Sequence, residues 1–587
     1  MKGFFKIVLA TFVAIFIASI ISILLFFGIV GVIVSSASSK SEVSIGPKSI
    51  FKLELSGVVV ERSTDNPFAS LYADYSNKPS ELGLNDILSA IRKAKDNKNI
   101  SGIYIDAGVL SAAPASLREI RQALLDFKAS KKFIYAYGNM AYTQGAYYVA
   151  SVADKIFLSP AGVVNWRGLS MQTTFYKEAL NKLGIDMQVV RVGAYKSAVE
   201  PFINTKMSDA NREQVTSFVG SIWNTLLDEV SVSRKLSVNQ LSLLADKGMA
   251  FQPASQLVEN HLVDSLLYDD QMKSFLCSKM KVSSADDLSF VNLLQMKNVT
   301  SNNVSSSNKI AVVYASGGID MGESDGIDSE ELAKTLAEVR TNDNIKAVIF
   351  RVNSPGGSAV GSELIWREVA LMKTKKPVYV SMGDYAASGG YYISCAADTV
   401  FAQPNTITGS IGVFGVIPNV GGLTNKLGIT FDGVKTNKMS DLPSVTRPFT
   451  PEERTVMQAY VNNTYDTFVS RCADGRRMTP DAVKKIAEGR VWTGEQAKKI
   501  GLVDELGTLQ DAVKAIAGRA HLSDYNVVTY PRQKTFMERL MKGLNSSVQD
   551  RVEKAQLGDY YPYFKQLKQA TQLKGVMASL PCYYVIE

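Results

Sequence analysis

Histidine is almost missing from this chain: His261 and His521 are the only two in 587 residues. Imidazole is the usual general base near neutral pH, so any acid–base chemistry here must draw on another residue type. His261 lies in Glu259-Asn260-His261-Leu262-Val263 and His521 in a polar turn. Neither adjoins a glycine-rich or strand-end element, which argues against a Ser–His triad. Cysteine is scarce too. Cys277, Cys395, Cys472 and Cys582 lie far apart with no CxxC spacing, so neither a zinc site nor a disulfide framework is expected. No Lys/Arg-rich run with interleaved aromatics occurs and the net charge of +8 is modest, so nucleic acid is not an expected partner. The phosphate-cradling pattern GxxxxGK[ST] is absent, and no cofactor or metal is called for.

The chain is otherwise 46% hydrophobic and 20% charged, the composition of a large folded protein with sizeable cores. After Lys2 and Lys6, residues Ile7 to Val34 carry no charge. At about 1.5 Å per residue these 28 residues would reach about 42 Å, beyond the ~30 Å hydrocarbon core, so a tilted transmembrane helix over 7–34 is expected. A cleaved signal peptide is the alternative, with Ser35-Ser36-Ala37 as a small-residue site, but its apolar region is usually only ~7–15 residues. The short N-terminal tail places the start of the chain in the cytoplasm and its bulk outside.

The chain also repeats itself. Asn181-Lys182-Leu183-Gly184-Ile185 returns as Asn425-Lys426-Leu427-Gly428-Ile429, a shift of 425 − 181 = 244. The same shift lays Gly145 on Gly389, Tyr147-Tyr148 on Tyr391-Tyr392, Ala153-Asp154 on Ala397-Asp398, and Gly168 on Gly412. So long a period means a duplicated domain, not a solenoid. Within each copy, short apolar runs alternate with helical periodicity. Strand Ile50–Val60, helix Leu84–Lys95 and strand Ile100–Ile105 are answered by strand Ile310–Tyr314, helix Glu331–Val339 and strand Ala347–Val352. The pattern predicts parallel α/β units. The expected organisation is an anchor at 7–34, repeats at 49–280 and 309–530 with a polar linker at 281–308, and a basic, then aromatic tail at 531–587.

The two copies differ where chemistry should sit. Strand Val378–Ser381 runs into Gly383-Asp384-Tyr385-Ala386-Ala387-Ser388-Gly389-Gly390, and Tyr391–Ala397 reads as a helix. Ser388 thus falls at a strand-to-helix turn, where unpaired N–H groups favour developing negative charge. Alone, Ser-Gly-Gly reads equally as a helix cap and a tight turn. A second glycine-rich turn, Asn353-Ser354-Pro355-Gly356-Gly357-Ser358, follows strand Ala347–Val352 and precedes a helical pattern through Trp366. Such a turn can offer N–H donors to an oxyanion, each worth on the order of 3 kcal/mol. Its counterpart, Asp106-Ala107-Gly108-Val109-Leu110-Ser111, has no glycine pair, and Gln144 faces Ser388. A serine needs a base, and a desolvated lysine can serve. Lys196 follows the strand-like run Met187–Val192 among small residues, and faces Ser440 in the other copy. One copy keeps a serine and the other a lysine.

The chain at this point resembles the long, duplicated form of the signal peptide peptidase A family, membrane-bound Ser–Lys proteases with a ClpP/crotonase-like fold. The resemblance runs from the anchor to about His521. It is carried by Tyr195-Lys196-Ser197-Ala198-Val199-Glu200-Pro201-Phe202, Asn353-Ser354-Pro355-Gly356-Gly357, Ala387-Ser388-Gly389-Gly390 and Thr408-Gly409-Ser410-Ile411-Gly412. It implies Ser388 as nucleophile, Lys196 as general base, main-chain oxyanion donors at Gly356, Gly357 and Gly389, and the Ser410 hydroxyl near the lysine amine. It further implies hydrophobic peptide substrates such as cleaved signal peptides, and a homotetramer. The implied location is the bacterial inner membrane, crossed once, with the bulk facing the periplasm.

Pro201-Phe202 matches Pro448-Phe449, a shift of 448 − 201 = 247, so the second copy gains three residues nearby and Lys196 can face Pro443 instead of Ser440. Lys438 is then a rival base, although its Thr436-Asn437-Lys438-Met439 context lacks the Tyr-Lys-Ser pattern. Two other readings stand beside the peptidase: a crotonase-like acyl-CoA enzyme, because glycine-rich oxyanion turns serve that chemistry, and a non-catalytic membrane scaffold.

Overall fold

A computed structural model describes residues 44–63, 81–299, 306–321, 326–533 and 576–579, with helical residues scattered between 3 and 28. Much of the segment 7–34 expected to span a membrane lies outside the described residues. Among those described, no helix is long and apolar enough to cross one. The helical residues 13–22 are exposed.

The two repeats build the same sheet twice. In the first, strands run in the order Phe290–Val291, Ser49–Val60, Ile100–Ser111, Phe133–Gly138, Lys155–Leu158, Ser265–Leu266, all parallel. In the second, the order Asn526–Tyr530, Lys309–Ser316, Ile345–Ser354, Val378–Ala387, Thr399–Ala402, Glu505–Leu506 repeats it, again parallel. These central strands read as apolar runs because helices or the other repeat cover both of their faces. Each repeat also carries a 26-residue helix, Asp209–Arg234 or Pro451–Arg476, opened by a Ser208 or Thr450 side-chain cap and closed by a left-handed Lys235 or Arg477. Such caps satisfy end groups that the helix itself leaves unpaired.

Several elements differ from their expected bounds. Strand Ile100–Ile105 extends to Ser111, because without a glycine pair nothing breaks the chain away from its neighbour Ser49–Val60. The stretch 281–308 is not all linker, since Phe290–Val291 adds an edge strand to the first sheet. The expected helix Tyr391–Ala397 is the single turn Gly389–Tyr392, followed by tighter turns such as Ser394 N–H to the Tyr391 carbonyl.

The repeats lock together through polar and strand contacts. Buried Arg351 donates to both Glu61 oxygens at 3.0 Å and pairs with Glu119 at 2.8 Å. Asp384 accepts from the Ser116 N–H at 2.8 Å and its hydroxyl at 2.6 Å. Losing one partner of such a buried set typically costs about 3–5 kcal/mol. A smaller sheet crosses the boundary in the order Ile327–Asp328, Ile319–Asp320, Gly356–Ser358, Val576–Ser579, Val413–Asn419, Asp186–Val192. Its last pair is antiparallel, with Val192 opposite Val413 and Asp186 opposite Asn419.

Candidate active site

That last strand pair brings the two half-sites together. With Val192 opposite Val413, the chain leaving the first strand delivers Lys196 to the segment entering the second, which holds Ser410. The loop bearing Lys196 is clamped from the other repeat: Tyr195 N–H donates to the Glu488 carbonyl at 2.9 Å. A Cβ on Gly489 would lie 2.7 Å from that of Lys196, so only glycine permits the approach.

Lys196 is 1% exposed. Its Nζ lies 2.7 Å from Ser388 Oγ, 3.0 Å from Ser410 Oγ and 3.2 Å from the Ser410 carbonyl. The Phe414 ring centroid stands 5.9 Å away. Burial lowers the lysine pKa to about 7, because desolvation penalises the charged amine. A neutral amine has two N–H donors and one lone pair. The donors match the two Ser410 oxygens, which leaves the lone pair for the Ser388 hydroxyl.

Ser388 ends the strand Val378–Ala387 with φ 56° and ψ −116°, backbone that L-residues adopt at a cost of about 1–3 kcal/mol. Three contacts hold it there: its N–H donates to the Gly409 carbonyl at 2.8 Å, its carbonyl accepts from Tyr392 N–H at 2.9 Å, and its hydroxyl lies 3.4 Å from the Gly412 carbonyl. Gly389 is the first residue of its short helix, so its N–H has no partner within that helix. Gly356 has φ 98°. Its N–H donates to Ser354 Oγ at 3.1 Å, while Gly357 pairs with Ile319 and Ala578.

The structure thus gathers Ser388, Lys196, Ser410, Gly356, Gly357 and Gly389 at one place. It does not bring Lys438 there: that side chain is 82% exposed, 3.5 Å from Glu452. Both histidines are exposed. Sequence reasoning missed the clamp at Glu488 and Gly489, the Phe414 ring, and the strand Val576–Ser579 beside Gly356. The glycine at 489 was the one available signal.

The model of "Peptidase family S49" matches residues 126–283 and 370–523, once in each repeat. "Protease 4" from Salmonella typhi is 37% identical over 518 residues, covering 86% of this chain and 83% of that protein. "Serine protease SPPA, chloroplastic" from Arabidopsis thaliana is 30% identical over 482 residues, covering 80% and 71%. Among solved structures, a ClpP1 mutant from Listeria monocytogenes aligns with TM-score 0.24 at 16% identity, covering 34% of this chain and 94% of its own.

Proposed function

This chain belongs to peptidase family S49 and is a serine peptidase, and from that premise we propose that Ser388 is its nucleophile and Lys196 its general base. The observation that carries the reading is the 2.7 Å contact between an amine and an alcohol that are both buried. In the proposed cycle, neutral Lys196 takes the Ser388 proton as Oγ attacks the scissile carbonyl. The N–H groups of Gly389 and Gly357 hold the tetrahedral oxyanion. Gly356, whose own N–H is engaged by Ser354, shapes the turn and keeps it free of side chains. Lys196 then protonates the leaving amine, and water releases the acyl group. Ser410 aims the amine throughout by accepting its two N–H bonds.

The substrates in this reading are hydrophobic peptides such as cleaved signal peptides. The enzyme is held by a single-pass helix at 7–34 in the bacterial inner membrane, with its bulk in the periplasm, and assembles as a homotetramer. The exposed apolar side chains of the described N-terminal helix, Phe16 and Ile17 among them, favour such an anchor, since bare apolar surface of this kind needs cover. Each repeat is a ClpP/crotonase-like unit, a reading supported by the matched parallel sheets and the glycine-rich turn beside the nucleophile.

The test is hydrolysis of an unstructured apolar peptide. Ser388→Ala and Lys196→Ala should each lower kcat by roughly 10⁴-fold or more, with circular dichroism unchanged. Wild-type rates in either variant sink the assignment.

A further inference from the structure

Lys196 is a long side chain on a loop, so its aim depends on how the main chain around it is held. One amide does much of the holding. Gln214, on the helix Asp209–Arg234 and 1% exposed, donates from Nε2 to the Tyr195 carbonyl at 3.0 Å and to Ser197 Oγ at 3.1 Å. These residues stand immediately before and after Lys196. Its Oε1 accepts from the Val491 N–H at 3.1 Å. A carbonyl can only accept and a peptide N–H can only donate, so these partners fix which way the amide points.

Val491 belongs to the second repeat, and its strand frames the lysine's other neighbour. Val491 pairs with Gly409, and the Ser410 N–H donates to the Arg490 carbonyl at 2.7 Å. One side chain thus ties both flanks of Lys196 to the strand that sets Ser410. Gln214 is itself held: its Nε2 lies 3.2 Å from Asn211 Oδ1, and Asn211 Nδ2 donates to the buried Glu200 carboxylate at 3.0 Å. Glu213 faces the other side of the loop, pairing with Arg490 at 2.9 Å and accepting from the Tyr195 hydroxyl at 3.0 Å. The repeats differ here. Counted from the first residue of each long helix, the place of Gln214 is taken by exposed Val456. The copy whose loop delivers no lysine to a serine has no such amide.

We propose that Gln214 is a positioning residue for the reaction: it locks the loop bearing Lys196 against the second repeat, and so sets the approach of Nζ to Ser388 Oγ and keeps water from the amine. This rests on the reading of Ser388 and Lys196 given above. The hydrogen bonds of Gln214 go to the lysine loop, to Asn211 and to Val491, so its effect falls on the base rather than on the bound peptide. A misplacement of about 1 Å in such a pair costs roughly a hundredfold in rate.

The experiment measures kcat, KM and the pH profile for an unstructured apolar peptide, using the full chain in detergent. Gln214→Met keeps the bulk of the side chain and removes the amide. Its kcat near neutral pH should fall by about 30- to 100-fold, with KM within about twofold of wild type. A loosened loop admits water to the amine and relieves its desolvation, so the acid limb of kcat/KM should move up by about one pH unit and alkali should restore part of the rate. Gln214→Glu, which exchanges the donor toward Tyr195 for a carboxylate, should move the limb the same way, and it decides the matter if the methionine variant does not fold. Ser221→Ala is the control: it removes a 2.9 Å bond from the same helix to Thr493 without touching the loop, and should match wild type in rate and limb. Wild-type kcat in the Gln214 variants, or a lower kcat with the limb unmoved, overturns the positioning role and leaves the dyad standing. So does an equal loss in Ser221→Ala, which would make docking of the helix the cause. A wild type whose own profile is flat to about pH 5 overturns the dyad reading itself.

Discussion

Gln144 and Ser388 occupy equivalent turns in the two repeats, and what surrounds them is opposite in kind. Ser388 sits in forbidding backbone, facing an amine from the other repeat. Gln144 opens an ordinary seven-residue helix and spends its whole amide on the loop above it. Its oxygen accepts from the Arg167 and Gly168 N–H groups at 3.1 and 3.0 Å, and its nitrogen donates to the Gly168 carbonyl at 3.1 Å. The position equivalent to Ser388 has become a plug. Where the second repeat breaks into Gly356–Ser358, the first continues as unbroken strand through Ser111. Ser440, which the 244 shift sets opposite Lys196, is an exposed turn residue bonded to Asn437. On the roles proposed for Ser388 and Lys196, duplication has left one composite site, with each copy shedding the part that the other retains.

The sharpest way to break this comparison is Gly356→Ala. The added methyl would lie 2.6 Å from the Gly389 nitrogen in backbone that disfavours any side chain. Peptide hydrolysis should fall roughly a thousandfold, the scale of losing an oxyanion donor, and a loss under tenfold would show that this turn does not shape the site.

Acidity should act next. Protonation of Lys196 would silence the proposed base, so kcat/KM should drop about tenfold per pH unit below about 7. A profile flat to pH 5 contradicts a lysine base. The sign for stability follows from the same burial. Between about 7 and 10.5 the unfolded chain holds the extra proton, so folding gains as pH rises, and below about 7 the penalty is complete. Lys196→Met should therefore stabilise by about 1–2 kcal/mol at neutral pH and fade in benefit toward pH 10, which thermal melts at several pH values would read.

Gln144→Ala removes a plug without touching the chemistry. Stability should fall by about 1–3 kcal/mol with kcat unchanged, and a loss of activity instead would mean that the first repeat does more than brace. Smallest of all, Ser440→Lys should alter neither rate nor melting temperature, since its site faces solvent.

Much of this was legible in the residues. The repeat spacing revealed the duplicated sheets, and the missing glycine pair at 106–111 set the first copy apart from the second. Ser388 and Lys196 could be paired without coordinates because each lacks its counterpart. The unread parts depend on distant partners. Val576–Ser579 is four residues long and becomes a strand only because two edges separated by more than fifty residues accept it, which no local pattern encodes. The cluster of Arg351 and Asn353 likewise joins Glu61, Glu119 and Asp384 from three segments, and nothing in the spacing of those charges foretells their burial.

The seven-rung ladder between Asp186–Val192 and Val413–Asn419 has a consequence for how the enzyme is made. A growing chain that has released its first three hundred residues holds Lys196, the proposed base, without the hydroxyl it faces in the finished fold. The alcohol emerges nearly two hundred residues after the amine, and the zip that aligns them closes only once Asn419 is out. On the roles proposed for Ser388 and Lys196, hydrolytic power is withheld until both lobes exist and have found each other.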